Sequence, residues 1–323
     1  MSNELTEKLD TLYSSTWQNM RTKAVDNIFK ATPLWYWLYS KGRIRREPGG
    51  RWLGIQLMYA KNTTIESIGP GGKITIANVD PVTTAKFDWK VVAGSVLRLH
   101  ADDTENTDKF SMMNMVDVKL KNLELSMIDT LEAQVWGDGQ GNNGKDFDGL
   151  QNLVSVTPTV GSVGGFDRSN AAYSWWRNFQ RTTDDTGKET ADPSLTFNMR
   201  RTYNSISIGN DHPTLILAHQ DEYERYESSL VGLLQVRDAS LGDAGFEALK
   251  YKGAAMTYAP SAPDGELRML NERYIECVIN SHADFTMTDW KPIPDQLDRV
   301  AQVVVKGNLV INNARMHGVL SGL

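Results

Sequence analysis

The stretch TDKFSMMNMVDVKLKNLELSMIDTLEAQVW, Thr107–Trp136, decides how the rest of the chain is read. Met112, Val116, Leu120, Leu123, Met127, Leu131 and Val135 recur at spacings of three and four, the pattern that lines one face of an α-helix. Asp117, Lys121, Glu124, Asp129 and Glu132 fall on its other faces. At 1.5 Å per residue such a rod is about 43 Å long, well beyond an ordinary globular helix. Asp102, Glu105 and Asp108 gather at its start, where negative charge suits the helix dipole. Asn106 or Thr107 offers an N-cap. Gly137, Gly139, Gly141 and Gly144 then stop it. The expected frame is a single long spine, with extended segments before it and mixed helix and strand after it.

Before the spine the period changes to two. Leu53, Ile55, Leu57 and Tyr59 alternate with more polar neighbours, as do Ile74 and Ile76, and then Ala85, Phe87, Trp89 and Val91. Gly69-Pro70-Gly71-Gly72 reads as the turn between two strands. Residues 51–100 are therefore expected to form a long β-ribbon with one apolar face. A ribbon alone is marginally stable and leaves edges open for pairing, so it must lie on the rest of the protein or on another copy. Ile68, Gly69, Pro70, Gly71 and Gly72 at its tip are candidate inter-subunit contacts.

Further upstream, residues 5–30 carry a helical pattern that ends at Pro33. The aromatic block Leu34-Trp35-Tyr36-Trp37-Leu38-Tyr39 follows. Three readings stand: packing into its own core, docking on a neighbour with Trp35 and Trp37 as anchors, or a membrane-interface belt with no span beside it. Lys41, Arg43, Arg45 and Arg46 form the densest basic cluster, either a solvated turn or a contact for phosphates or an acidic neighbour.

After the spine, Leu150–Val156 reads as a strand and Ala171–Arg181 as helical. Leu195–Ile206 and Gln220–Leu230 read as helices. Strands are expected near Thr214–Ala218, Ala254–Tyr258, Leu267–Leu270 and Tyr274–Ile279. Val300–Lys306 and Leu309–Asn312 look like a hairpin turning at Gly307-Asn308. The fold class is α+β.

Composition narrows the function. With 323 residues the chain can build one large or two modest domains, and its net charge of −6 argues against a general nucleic-acid binder. Cys277 is the only cysteine, which rules out an intrachain disulfide or a thiolate zinc cluster and fits a reducing compartment. The polar start MSNELTEKLD is unlike a signal peptide, and no apolar run reaches the ~18–20 residues of a membrane span. Gly139–Asp146 nearly spells a phosphate loop, but Asp146 stands where a magnesium-binding hydroxyl belongs and the loop follows a helix instead of opening one. Asp146 and Asp148 read as turn residues more than as chelators. The five histidines, His100, His212, His219, His282 and His317, are scattered without metal-site spacing. Cys277 sits in an apolar strand as an inert thiol. Met112, Met113 and Met115 read as core filling. No catalytic constellation, cofactor or metal site emerges.

In their order along the chain these segments resemble the major capsid protein of tailed bacteriophages, with the Hong Kong 97-type fold. The likeness rests on the ribbon, on Glu105-Asn106 leading into the spine, and on Gly137-Asp138-Gly139 followed by Phe147-Asp148-Gly149-Leu150-Gln151-Asn152-Leu153-Val154. It continues through Phe166-Asp167-Arg168-Ser169 with Trp175-Trp176-Arg177, and through Asp221-Glu222-Tyr223-Glu224-Arg225-Tyr226-Glu227. Gly245-Phe246 with Lys252-Gly253-Ala254, Leu270-Asn271-Glu272-Arg273-Tyr274, and Gly307-Asn308-Leu309 with Asn313-Ala314-Arg315 and Gly318-Val319-Leu320 complete it.

The resemblance implies an N-terminal arm (1–50), an extended β-loop (51–100), a peripheral domain (101–145 and 291–323) and an axial domain (146–290). It implies hexamers and pentamers of an icosahedral head around double-stranded DNA, assembled in a bacterial cytoplasm. The implied partners are further copies of the chain, a portal, decoration proteins and a separate scaffolding protein, the last because only about fifty residues precede the ribbon. An encapsulin-like shell around an enzyme cargo is the alternative.

Overall fold

The computed structural model describes residues 11, 15–16, 32–100, 109–182, 195–230, 248–294 and 296–323, with the spine's side chains described from residue 118 onward. The proposed caps Asp102, Glu105, Asn106, Thr107 and Asp108, the helical pattern before residue 32, and Met112, Met113, Met115 and Val116 lie outside the described residues or side chains.

Two six-stranded sheets organise the chain. The first is built from β1 (Ile44–Glu47), β4 (Lys90–Arg98), β12 (Ile275–Asn280), β13 (Thr286–Met287), β14 (Lys291–Pro292) and β15 (Arg299–Ile311). Its axis is β15, which pairs with β12, β13, β14 and β4, all antiparallel. The second runs in the order β7 (Phe179–Thr182), β16 (Gly318–Ser321), β11 (Glu266–Leu270), β8 (Leu215–Ala218), β10 (Ala254–Tyr258), β9 (Leu249–Tyr251).

The spine forms as expected, as α2 (Lys109–Trp136, 28 residues) after the short α1 (Pro33–Ser40). Leu120, Leu123, Met127, Leu131 and Val135 are all buried, so the three-and-four spacing does face the core. α2 lies on β4, where the absence of a side chain at Gly94 makes room: a Cβ there would stand 2.4 Å from Leu123 Cδ1. Glu124 and Glu132, expected at the surface, are buried instead. Glu132 accepts a hydrogen bond from Trp136 Nε1 at 2.9 Å, one turn along the helix, and burial pushes its carboxyl above the usual range.

The second sheet is covered on both faces. Leu215 and Leu217 point into the large core shared with the spine and the first sheet, while Ile216 and Ala218 point into a second cluster under α4 (Leu195–Ile206) and α5 (Gln220–Ser229). Side chains alternate faces along a strand, so β8 is apolar at every position because it is sandwiched.

Several expectations are corrected. Leu150–Val156 is not a strand; Leu150–Leu153 is a single helical turn, α3, with Leu150 and Leu153 fully buried. Ala171–Arg181 divides into a 3₁₀ turn, Ala171–Trp176, and β7. The hairpin expected at Gly307-Asn308 is one continuous strand, β15. Gly307 is there for close approach, since a Cβ would stand 2.6 Å from the Val278 carbonyl oxygen.

Candidate assembly interface

The ribbon splits into two unlike halves. β2 (Leu53–Met58) pairs antiparallel with β3 (Val82–Phe87), in a register that sets Leu53 opposite Phe87 and Met58 opposite Val82. Leu53, Leu57, Ala85 and Phe87 share one buried face. That face rests on the hairpin of β5 (Ser162–Val163) and β6 (Phe166–Asp167). Lys86 N–H donates to the Gly164 carbonyl at 2.9 Å, and a Cβ on Gly164 would stand 2.9 Å from Ala85 Cβ. Tyr59 stacks on Trp175 with centroids 5.4 Å apart, and Trp175 packs in turn against Phe166 and Trp176. The root of the ribbon is thus held by its own chain.

The alternation does not continue through Trp89 and Val91 as the sequence suggested. Beyond Phe87 the buried positions shift to Val92 and Val96, and β4 joins the first sheet beside β15. The ribbon therefore ends near Asp88 rather than at residue 100.

Residues 59–81 contain no strand, so Ile74 and Ile76 are not in one. The expected turn is present: Gly72 N–H donates to the Gly69 carbonyl at 2.9 Å, and Gly71 takes φ +80°. Thr75 N–H donates to Glu66 Oε1 at 2.9 Å, which closes the loop on itself and lowers the Glu66 carboxyl pKa. Ile65 and Ile76 are 84% and 95% exposed, and Met58, Ile68, Ile74 and Val82 are exposed beside them. Six large apolar side chains on one projection form a surface that soluble monomers rarely present. The tip candidates Ile68, Gly69, Pro70, Gly71 and Gly72 all lie on it and all are exposed.

The N-terminal candidates lie elsewhere. Trp35 and Trp37 are only 2% and 3% exposed and belong to the main core with Leu34 and Leu38. The docking-anchor reading of these two tryptophans is replaced by the core-packing one. Pro33 at the first helical position, with its preset φ, starts α1 and turns the block inward. Arg43, Arg45 and Arg46 flank or form β1, which pairs parallel with β12. Their charges meet acids of the same chain: Arg43 and Arg45 approach Glu276 at 3.6 and 3.5 Å, and Arg46 Nε lies 2.8 Å from Asp284 Oδ2. Lys41 meets Glu272 at 3.1 Å. The acidic neighbour that the cluster called for is β12 and its flanks.

Sequence reasoning missed a second open surface. Among the described residues β4 pairs only with β15, leaving its other edge open beside the spine. A groove of about 560 Å³ runs there, lined by Gly94, Val96, Leu97, Val118, Asn122 and Leu123. Leu97 and Val118 stand exposed in it. Only the fixed pairing of β4 reveals it, because the sequence assigned its β4 residues to the ribbon.

At the root of the ribbon Asn308 ties three regions together. Its Nδ2 donates to the Asp88 carbonyl at 2.9 Å and to Asp148 Oδ2 at 2.7 Å, while its Oδ1 accepts from Asp148 N–H at 2.8 Å. Asp148 is thus bound to the buried junction rather than offered to a metal, and burial raises its carboxyl pKa. The glycine loop before it does follow the spine's end. Asn142 and Asn143 have φ +52° and +61°, and Asn142 Nδ2 and Gln134 Nε2 donate to Asp146 Oδ1 at 2.7 and 3.2 Å. The adjoining hollow is lined by Asp129, Asp138 and Asp146, a setting that repels phosphate. Cys277 is fully buried, and burial pushes its thiol up to about 12, far from a nucleophile's range.

No family model matches the sequence, and no curated protein does. Solved structures match closely in shape. The capsid of cyanophage A-1(L) superposes with TM-score 0.64 at 12% identity, covering 87% of this chain and 90% of that one. The fold is that of phage capsid subunits. The capsid protein of Myoviridae phage XM1 gives TM-score 0.55 at 8% identity, covering 88% and 92% of the two chains. The SrpI encapsulin of Synechococcus elongatus PCC 7942 gives 0.50 at 10% identity, covering 89% and 87%. Coverage near nine-tenths of both chains means that the likeness spans most of the chain, with the same α+β class that the order of motifs suggested.

Proposed function

We propose that this chain is the major capsid protein of a tailed phage, self-assembling into hexamers and pentamers of an icosahedral head that encloses double-stranded DNA. The observation that carries the reading is the exposed apolar distal ribbon, Met58 to Val82, on a subunit whose shape matches capsid proteins. Burying such a surface on neighbours contributes roughly 25 cal/mol per Å², offset in part by association costs. Head-to-tail contacts of this kind close into rings. The role is mechanical: many modest contacts, repeated by symmetry, give a durable shell.

In this reading residues 101–145 and 291–323 form the peripheral domain and 146–290 the axial domain, with β12 lent to the first sheet and β16 to the second across that division. The open edge of β4 beside the spine supports a second contact, since an unpaired strand edge invites another chain. Contact with DNA, a portal, decoration proteins and a scaffolding protein belongs to the same proposal.

Electron microscopy of the full chain, expressed alone and with the genes that flank its own, tests it. Closed icosahedral particles containing DNA after co-expression with a packaging system support it. Particles that instead enclose a protein cargo and exclude nucleic acid select the encapsulin-like alternative. A strictly monomeric protein under all these conditions overturns both.

A further inference from the structure

A cluster of metal-ligand atoms lies at the junction of β8 and α5, away from the ribbon. His219 caps α5, its Nδ1 accepting from the Asp221 N–H at 3.4 Å, which is long for a cap. The same nitrogen lies 3.5 Å from Glu222 Oε2 and 3.6 Å from Asp264 Oδ1. His219, Asp221 and Asp264 each offer a ligand atom within 4.8 Å of the others. Asp221 and Asp264 are exposed, but Glu222 is only 1% exposed.

Glu222 is the independent sign of a ligand. Its Oε2 has no hydrogen-bond partner, although it is buried and faces the imidazole nitrogen. A buried carboxylate oxygen without a donor is costly. The nearest group is a nitrogen whose lone pair is already turned toward the Asp221 N–H. Glu222 Oε2 and His219 Nδ1 thus face each other at 3.5 Å without a hydrogen bond between them.

We propose that His219, Asp221, Glu222 and Asp264 form a site for one divalent transition-metal ion, with Zn²⁺ the best fit. Zinc takes imidazole nitrogen and carboxylate oxygen at ~2.0–2.2 Å in a tetrahedron, which sets ligand atoms about 3.3–3.5 Å apart. The two separations from Nδ1, 3.5 and 3.6 Å, are close to that edge. Calcium and magnesium favour all-oxygen shells, whereas an imidazole with carboxylates suits zinc and its neighbours. The helix N-terminus opposes a cation with about half a positive charge, but three carboxylates outweigh it. Asp264 lies between β10 and β11, His219 caps α5, and Asp221 and Glu222 stand in its first turn, so a bound ion would clip that turn to the helix.

The same groups could instead share a proton, and a titration separates the two. The full chain is stripped with EDTA, dialysed at pH 7.5 and titrated calorimetrically with ZnCl₂, with bound metal counted by mass spectrometry. The expected result is one Zn²⁺ per chain and much weaker binding of Mg²⁺. Affinity should fall at least about tenfold in both Asp264→Asn, at an exposed position, and the isosteric Glu222→Gln, with circular dichroism unchanged. The site is overturned if the wild-type chain takes up no Zn²⁺, or if both variants bind it as tightly as the wild type.

Discussion

Two apolar regions of this chain both read as candidate contacts and end in opposite places. The block Leu34–Tyr39 is the densest aromatic run, yet Trp35 and Trp37 are sealed in the core of their own subunit. The ribbon tip carries isolated isoleucines among glycines and polar residues, yet Ile65 and Ile76 stand almost wholly in solvent. Apolar character alone does not tell which surface belongs to a neighbour. What separates them is the backbone: Pro33 starts a helix that turns the tryptophans inward, whereas Gly69, Pro70, Gly71 and Gly72 hold the isoleucines on a projection with no core of its own.

The contrast is open to attack in order of effect on subunit stability. Trp37→Ala should cost the most, about 3–5 kcal/mol, as for other buried aromatics, measured by urea denaturation. An unchanged midpoint with lost assembly would return Trp37 to the interface. Acid comes next. His317 is fully buried, its pKa pushed down by desolvation from 6.5 to about 4. Because the folded state resists protonation, its contribution is neutral above pH 6.5. Stability then falls by at most ~1.4 kcal/mol per pH unit as pH drops from 6.5 to about 4. A His317→Gln chain, whose stability should not show that slope, checks the assignment.

Asn308→Ala should cost about 2 kcal/mol by removing a fully buried side chain together with its hydrogen bonds to the Asp88 carbonyl and to Asp148. The double change Ile65→Ser with Ile76→Ser should shift subunit stability by less than ~0.5 kcal/mol while abolishing or severely slowing particle formation, followed by light scattering. Normal particles from that chain would break the comparison outright.

The spine, β8, β10, β11, β12 and both helices over the second sheet were legible because each repeats its apolar spacing over enough residues to fix its face. The misreadings have separate physical causes, each a packing effect that local rules do not carry. Gly307-Asn308 looked like a hairpin turn, but the glycine admits the Val278 carbonyl and the asparagine joins three segments. Leu150, Leu153 and Val154 are buried around the polar Gln151 and Asn152, a stretch too short for periodicity to separate a helical turn from a strand. Glu124 and Glu132 are polar by name but lie under neighbouring elements. Of the candidate interface, the tip Ile68–Gly72 was readable from its turn chemistry. The groove along β4 was not, because it depends on a pairing with β15 some two hundred residues away.

The junction at Asn308 has a mechanical corollary. One side chain grips the base of the projecting limb at Asp88, the loop beyond the spine at Asp148, and the central strand in which it sits. A pull on the limb is therefore felt at the central strand through that one side chain, whether or not the limb itself is stiff.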